Sequence, residues 1–145
     1  MIARAGLLKA AALACLAAIL IFPANGLSDG PKLTVETLLK TGTTNLGQPL
    51  TYPSAGPAEV TAVVVTLEPG QETGRHRHAV PLYGQVLSGQ LTVEYDERDS
   101  KTYAAGEAFM EAVDTWHNGR NDGEETVRVL AIFMGAKGVP NTEHP

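Results

Sequence analysis

Two histidines separated by a single residue, His76 and His78, constrain this chain more than any other feature. Side chains alternate between the two faces of an extended strand, so both imidazoles should project to the same side. A third histidine, His117, follows an apolar segment farther along the sequence. Three neutral imidazoles that meet inside a small barrel form a metal site with open coordination positions. The alternative is that His76 and His78 are simply solvated on an exposed strand.

Short segments rich in β-branched residues recur along the chain between glycine-containing turns, and little of the sequence has helical periodicity. Residues 58–67 are typical of a largely buried strand, and residues 86–95 predict a hairpin that turns at Gly89. Residues 126–133 alternate with period two and predict the strand that closes the sheet. The pattern predicts a single all-β domain, an antiparallel sandwich or barrel, followed by a polar, mobile tail from Lys137.

The histidine segments resemble the two cupin motifs, which read G-x5-H-x-H-x(3,4)-E-x6-G and G-x5-P-x-G-x2-H-x3-N. The positions in register are Gly70, His76, His78 and Gly89 of the first motif and Gly106, His117 and Asn121 of the second. Three positions depart from the motifs, because Leu82 replaces the glutamate, Ala112 the proline and Asp114 the second glycine. The resemblance spans residues 58–135 and implies a cupin jelly-roll β-barrel. It does not define a function, because many chemistries share one fold.

The resemblance also implies that the three histidines hold one divalent transition metal ion, which would be Fe, Mn, Zn, Ni or Cu. Leu82 removes the carboxylate ligand, so the ion would keep its full +2 charge and act as a stronger Lewis acid. The nearest replacement ligands in the sequence are Glu72, Glu111 and Gln85. Strand parity places Gln85 on the outer face. We expect Glu72 to be a solvated turn residue and Glu111 to accept a hydrogen bond from an imidazole N–H.

Other residues near the motifs are assigned to structure rather than to chemistry. Arg75 and Arg77 alternate with the histidines, so they should face away from the ion. Tyr83 and Trp116 are either core aromatics or pocket-lining residues. His144 belongs to the polar tail and is excluded from the predicted site.

Residues 1–26 predict a secretory signal peptide, in which two basic residues precede an apolar run at residues 10–22. Small residues precede the expected cleavage point before Leu27. The thirteen apolar residues would span only about 20 Å, short of the roughly 30 Å hydrocarbon core, which argues against an uncleaved anchor. The mature protein should therefore be periplasmic or secreted. Cleavage would also remove Cys15, the only cysteine of the sequence.

Removal of this segment changes the net charge from −5 to −7, because it contains two of the 11 basic residues and none of the 16 acidic ones. No basic run remains, which argues against nucleic acid and anionic membranes as partners. Residues 27–57 are expected to form an N-terminal arm, and residues 58–145 the barrel with its short tail. The arm is either a tether or packs on the barrel or on a second subunit. The exposed edges of an open barrel favour a homodimer.

Two classes of function fit the sequence. One is a metal-dependent enzyme that acts on a small molecule, either an iron dioxygenase or a zinc enzyme that activates water. The other is a non-catalytic module that binds a ligand or a metal. The sequence contains no acid–base pair that can be named, so no catalytic residue is predicted.

Overall fold

The computed structural model of the chain describes residues 33–54 and 56–145, so the predicted signal peptide lies outside the described residues. Seven β-strands form the regular structure of this part of the chain. Their bounds are β1 Ala58–Leu67, β2 Leu82–Ser88, β3 Gln90–Tyr95, β4 Arg98–Ala104, β5 Ala108–Met110, β6 His117–Arg120 and β7 Val127–Ala136. Across residues 33–54 and 56–145, no helix has the length and apolar character needed to cross a bilayer.

The strands form two antiparallel sheets, one in the order β1-β7-β2-β5 and the other in the order β4-β3-β6. In the larger sheet, β7 pairs with β1 from Ala58 opposite Ala136 to Leu67 opposite Val127. Strand β2 pairs along the other edge of β7. Buried residues from both sheets meet in one hydrophobic cluster between them. The prediction of an all-β antiparallel jelly roll is therefore confirmed.

Alternation along β7 explains which face of the larger sheet covers the core. Val127, Val129, Ala131 and Phe133 are buried, whereas the residues between them are exposed or half-buried. Leu91 of the smaller sheet belongs to the same cluster as Val127 and Val129. The apolar residues of the period-two pattern predicted for this strand thus form its buried face.

Strand β1 has the predicted bounds, but the prediction that it is largely buried is wrong. Val60 and Val64 are 65% and 46% exposed, and only Leu67 is fully buried. The reason is position, because β1 is an edge strand of the larger sheet and pairs only with β7. Its outer face carries β-branched residues without a covering layer among the described residues.

The predicted hairpin at Gly89 is also wrong. Strands β2 and β3, which flank this glycine, belong to different sheets, so the chain crosses from one sheet to the other at this point. Gly89 has a φ of 71°, and a Cβ there would lie 2.9 Å from Cγ2 of Val127. The hairpin forms instead between β3 and β4, where Tyr95 pairs with Arg98.

Part of the predicted arm packs on the barrel of the same chain. The amide of Asn45 donates to the carbonyl of Met110 at 2.7 Å. The side chain of Gln48 donates to the carbonyl of Val113 at 2.9 Å. These contacts attach residues 41–50 to the strand and loop that lead to the third histidine.

The tail differs from its prediction as well. Residues 141–143 are not a free polar end, because Arg77 and Glu143 pair as in an antiparallel sheet. Their two backbone hydrogen bonds measure 3.0 and 2.9 Å. The sequence could not show this pairing, since the two residues are 66 positions apart.

Candidate metal centre

The segment with the first two histidines is extended but is not a continuous strand. His76 bridges to His117, Arg77 to Glu143 and His78 to Val113, so each residue meets a different partner. The predicted alternation of side chains between the two faces of this segment is nevertheless present. His76 and His78 are buried, while Arg75 is exposed and Arg77 half-buried.

The three predicted histidines converge at one point inside the barrel. One nitrogen from each of His76, His78 and His117 lies within 4.8 Å of the others. The ring centroids are 4.4 Å apart for His76 and His117, 4.8 Å for His76 and His78, and 5.0 Å for His78 and His117. This grouping is compatible with a single divalent metal ion.

Hydrogen bonds at the outer nitrogens define the tautomer of all three rings. The Nδ1 atoms of His76, His78 and His117 lie 2.7, 3.1 and 2.9 Å from the backbone carbonyls of Gly74, Asn141 and Thr115, respectively. A carbonyl only accepts, so each Nδ1 must carry the proton. Each Nε2 is then left with a free lone pair, which is the state that binds a metal ion.

Burial in the cavity favours the neutral form of two of these rings, His76 and His78. Burial lowers the pKa of His78 to about 3, and repulsion from His117 and His76 adds to the effect. Burial also lowers the pKa of His76, against the opposing attraction of the Gly74 carbonyl and of Glu111. Since a metal ligand must be deprotonated, the cavity prepares both side chains for coordination at neutral pH.

Glu111 is a buried carboxylate in the wall of the same cavity. Its Oε1 accepts hydrogen bonds from the Tyr95 hydroxyl at 2.5 Å, the Ala112 amide at 3.0 Å and the Asn45 side chain at 3.2 Å. Burial, with the Glu111 charge as second cause, raises the pKa of Tyr95, so this phenol remains a donor. Glu111 was expected to accept from an imidazole. Its partners are instead a tyrosine, a backbone amide and an arm residue.

The cavity has a volume of about 340 Å³ and is mainly apolar. Leu82, which the sequence pattern aligns with the motif glutamate, is 6% exposed and lines the same cavity as the three histidines. His144, which the sequence excluded, lines the cavity too, and its ring centroid lies 6.1 Å from that of His76. The remaining lining residues are Val65, Leu67, Thr73, Leu91, Phe109, Val129, Ala131, Phe133 and Thr142.

The other two candidates for a replacement ligand lie away from the cavity. Glu72 is exposed, as predicted, and accepts a hydrogen bond from the Asn118 side chain at 2.9 Å. Gln85 alternates outward on β2, as strand parity predicts, and pairs with the Tyr83 hydroxyl at 3.4 Å. Neither Gln85 nor Tyr83 lines the histidine cavity.

The two arginines face outward as predicted, and they enclose Trp116. The guanidinium carbons of Arg75 and Arg77 lie 4.5 and 4.9 Å from the centre of the Trp116 ring system. Each arginine also pairs with a carboxylate, Arg75 with Asp96 and Arg77 with Glu143. Trp116 is therefore part of an outer cation–π cluster and does not line the cavity.

Comparison with known proteins identifies the domain. Residues 63–133 match the family model described as a cupin domain. The search of curated proteins gives no significant match.

Solved structures with the same fold include a conserved protein with a double-stranded β-helix domain from Klebsiella pneumoniae, at 19% identity and a TM-score of 0.51. That match covers 64% of this chain and 83% of the Klebsiella protein. A mutant of the oxalate decarboxylase of Bacillus subtilis matches at 22% identity and TM-score 0.51, and the DMSP lyase DddQ of Ruegeria pomeroyi at 15% and 0.51. Each of these two matches covers 58% of this chain, but only 23% of the decarboxylase and 42% of the lyase. At these identities the likeness concerns the fold alone.

Proposed function

Because this chain belongs to the cupins through its domain at residues 63–133, we propose that it binds one divalent transition metal ion through His76, His78 and His117. The ion would present its open positions to a small molecule in the cavity. Three protein ligands with free positions are typical of metal sites that take a substrate or a water molecule, whereas structural zinc sites are closed by four ligands.

The observation that carries this proposal is the shared hydrogen-bonding pattern of the three rings. A solvated or purely structural histidine has no need to direct its Nε2 at two other imidazoles. Here all three Nδ1 atoms are within hydrogen-bond distance of a backbone carbonyl, and the ligand nitrogens lie within 4.8 Å of one another. The backbone thereby orients a ready set of lone pairs, as in known metal sites.

The size and lining of the cavity support a small ligand. A volume of about 340 Å³ is at the lower end of the roughly 300–1,000 Å³ that ligand pockets occupy. Apolar walls around one charged ion would hold a compact molecule with a polar group directed at the metal. A bound ion would supply Lewis acidity or a redox centre at this position.

The buried carboxylate of Glu111 favours an enzyme over a non-catalytic binding module. A general base or acid must lie in the substrate cavity, and Glu111 lines the same cavity as the three histidines. Three donors reach its Oε1, which fixes the orientation of the group.

The metal proposal is tested by elemental analysis of protein purified without a histidine tag. We expect about one ion per chain. Single variants His76→Ala, His78→Ala and His117→Ala should lose most of it, because two imidazoles make a poor chelate. Arg75→Ala serves as the control, since that neighbour faces away from the site. Wild-type metal content in His117→Ala would contradict the proposal.

The choice between enzyme and module is tested on the metal-loaded protein with a panel of small molecules. Metal-dependent dioxygen consumption or product formation indicates an enzyme. The Glu111→Gln variant keeps an acceptor for the Tyr95 hydroxyl, so it should retain its metal and lose turnover. Ligand binding without turnover in the wild-type protein would favour the module.

We also propose that the protein acts outside the cytoplasm, in the periplasm or secreted. The support is the composition of residues 1–26, with their basic start, apolar run and small residues before Leu27. The absence of cysteine from residue 27 onward means that the proposed mature chain needs no disulfide chemistry there.

A further inference from the structure

Two residues of the C-terminal segment, Thr142 and His144, line the histidine cavity. We call residues 141–143 the strap. Its C-terminal residue, Glu143, is attached to Arg77 by two backbone hydrogen bonds. The guanidinium of Arg77 also binds the Glu143 carboxylate, with N–O distances of 2.6 and 2.8 Å. Two kinds of bond thus hold the residue just before His144 in place.

The N-terminal residue of the strap, Asn141, is attached to His78, a proposed metal ligand. The carbonyl of Asn141 is the acceptor for Nδ1 of His78, and the Thr142 hydroxyl lies 3.3 Å from the same nitrogen. The Asn141 side chain fits beside Gly135, where a Cβ would lie 2.9 Å from its Oδ1. The strap therefore sets the tautomer of His78 and depends on a glycine of β7 for its position.

This geometry places a fourth imidazole beside the other three. The ring of His144 lines the cavity with its centroid 6.1 Å from that of His76, compared with 4.4–5.0 Å among the three converging rings. The sequence has four histidines in all, so every one of them lies at this cavity. His144 is exposed, and an exposed side chain changes rotamer on a picosecond to nanosecond timescale.

We propose that His144 is a fourth ligand of the metal ion and takes the place of the carboxylate that Leu82 has removed. The proposal rests on the three-histidine metal site proposed above. The strap holds the residue just before His144 against Arg77, and rotation of the exposed His144 side chain would bring its imidazole to the ion. The site then alternates between a closed form with four imidazoles and an open form in which a small molecule occupies the position of His144.

The test measures the affinity for Zn²⁺ by competition with a chelator and the visible spectrum of the Co²⁺-loaded protein. His144→Ala should weaken Zn²⁺ binding by at least about tenfold, the smaller loss seen even for partners that only support a ligand. It should also change the Co²⁺ spectrum, and free imidazole should restore that spectrum. Glu143→Gln, which weakens the attachment of the strap, should lower the affinity by a smaller factor. Lys137→Ala, an exposed change in the same tail, is the control and should change nothing.

The outcomes separate this inference from the metal site itself. If His144→Ala binds both ions as the wild type does while His78→Ala does not, His144 is not a ligand and the three-histidine site stands. If His78→Ala also binds like the wild type, the metal site is wrong and the inference fails with it. A weakened His144→Ala whose Co²⁺ spectrum is unchanged, with or without imidazole, would show a structural role only and would overturn the inference. Thermal melts of the metal-free variants check that each one is folded.

Discussion

Acid should destabilise the metal-free protein through the buried His78. This side chain is 4% exposed, and burial lowers its pKa from 6.5 to about 3. The folded value lies below the unfolded one, so the unfolded chain takes up the proton first as the pH falls. The stabilisation is therefore complete above pH 6.5 and is lost progressively toward pH 3.

The structure gives the magnitude of this loss. At pH 4 the unfolded chain has been protonated over about 2.5 pH units, at about 1.4 kcal/mol for each, while folded His78 is still mainly neutral. The free energy of unfolding should fall by about 3 kcal/mol from this residue alone. That is a large share of the roughly 5–15 kcal/mol that stabilises a typical domain. The lowered pKa of His76 acts in the same direction.

Urea unfolding in the presence of a metal chelator, at several values between pH 7 and pH 4, measures the effect. With a slope of about 1–3 kcal/mol per molar urea, the midpoint should fall by about 1–3 M through His78. His78→Gln has no titrating ring and should lose correspondingly less. Asp96→Asn removes an exposed carboxylate whose pKa is lowered by Arg75, and it should keep the wild-type dependence on His78. If wild type and His78→Gln lose stability in parallel, the buried neutral histidine is not the cause.

Leu82→Glu should raise metal affinity, measured by competition with a chelator, because a carboxylate ligand lowers the net charge of the ion with its ligands from +2 to +1. The control variant Leu82→Gln should not raise it. Equal metal affinity in both variants would contradict the vacant carboxylate position. The intact mass of protein exported by a bacterial host should correspond to a chain that begins at Leu27, and a mass that includes residues 1–26 would refute cleavage. Light scattering should give the mass of a dimer at micromolar concentration. The double variant Val60→Glu, Val64→Glu, on the exposed face of β1, should have the mass of a monomer. A monomeric wild-type protein would refute the association.

The strands and the three histidines were predictable because both depend on local regularities. The period-two pattern of β7 is the same in the sequence and in its buried face. His76 and His78 face the same side because they are two residues apart in an extended segment, even though that segment is not a continuous strand. The alternation of side chains needs only an extended backbone, so it does not depend on which partner supplies the hydrogen bonds.

The failures share a different cause, which is that burial depends on what covers a surface. The valines of β1 have the composition of an inner strand, but β1 is at the edge of its sheet. The segments on either side of Gly89 alternate as a hairpin would, and nothing local distinguishes a hairpin from a crossing between two sheets. The parts of the site that the sequence missed come from distant positions. Asn45 lies 66 residues from Glu111, and Glu143 lies 66 from Arg77.

These distant contacts place a carboxylate in the cavity at a position that the sequence motif does not predict. The motif predicts a carboxylate where this chain has Leu82, whereas the cavity is lined by a different carboxylate, Glu111, held on one oxygen by Tyr95 and Asn45. A carboxylate among the ligands would neutralise part of the ion's charge directly. Glu111 instead acts through space, as it does at His76, where its charge works to raise the pKa against the larger lowering effect of burial. The ion would then be a stronger Lewis acid toward a molecule in its open position. The cavity would still be less unfavourable to a +2 charge than one with apolar walls alone. Because Asn45 belongs to the arm, the segment before the barrel also helps to hold Glu111, the acidic residue that lines the cavity in the described part of the chain.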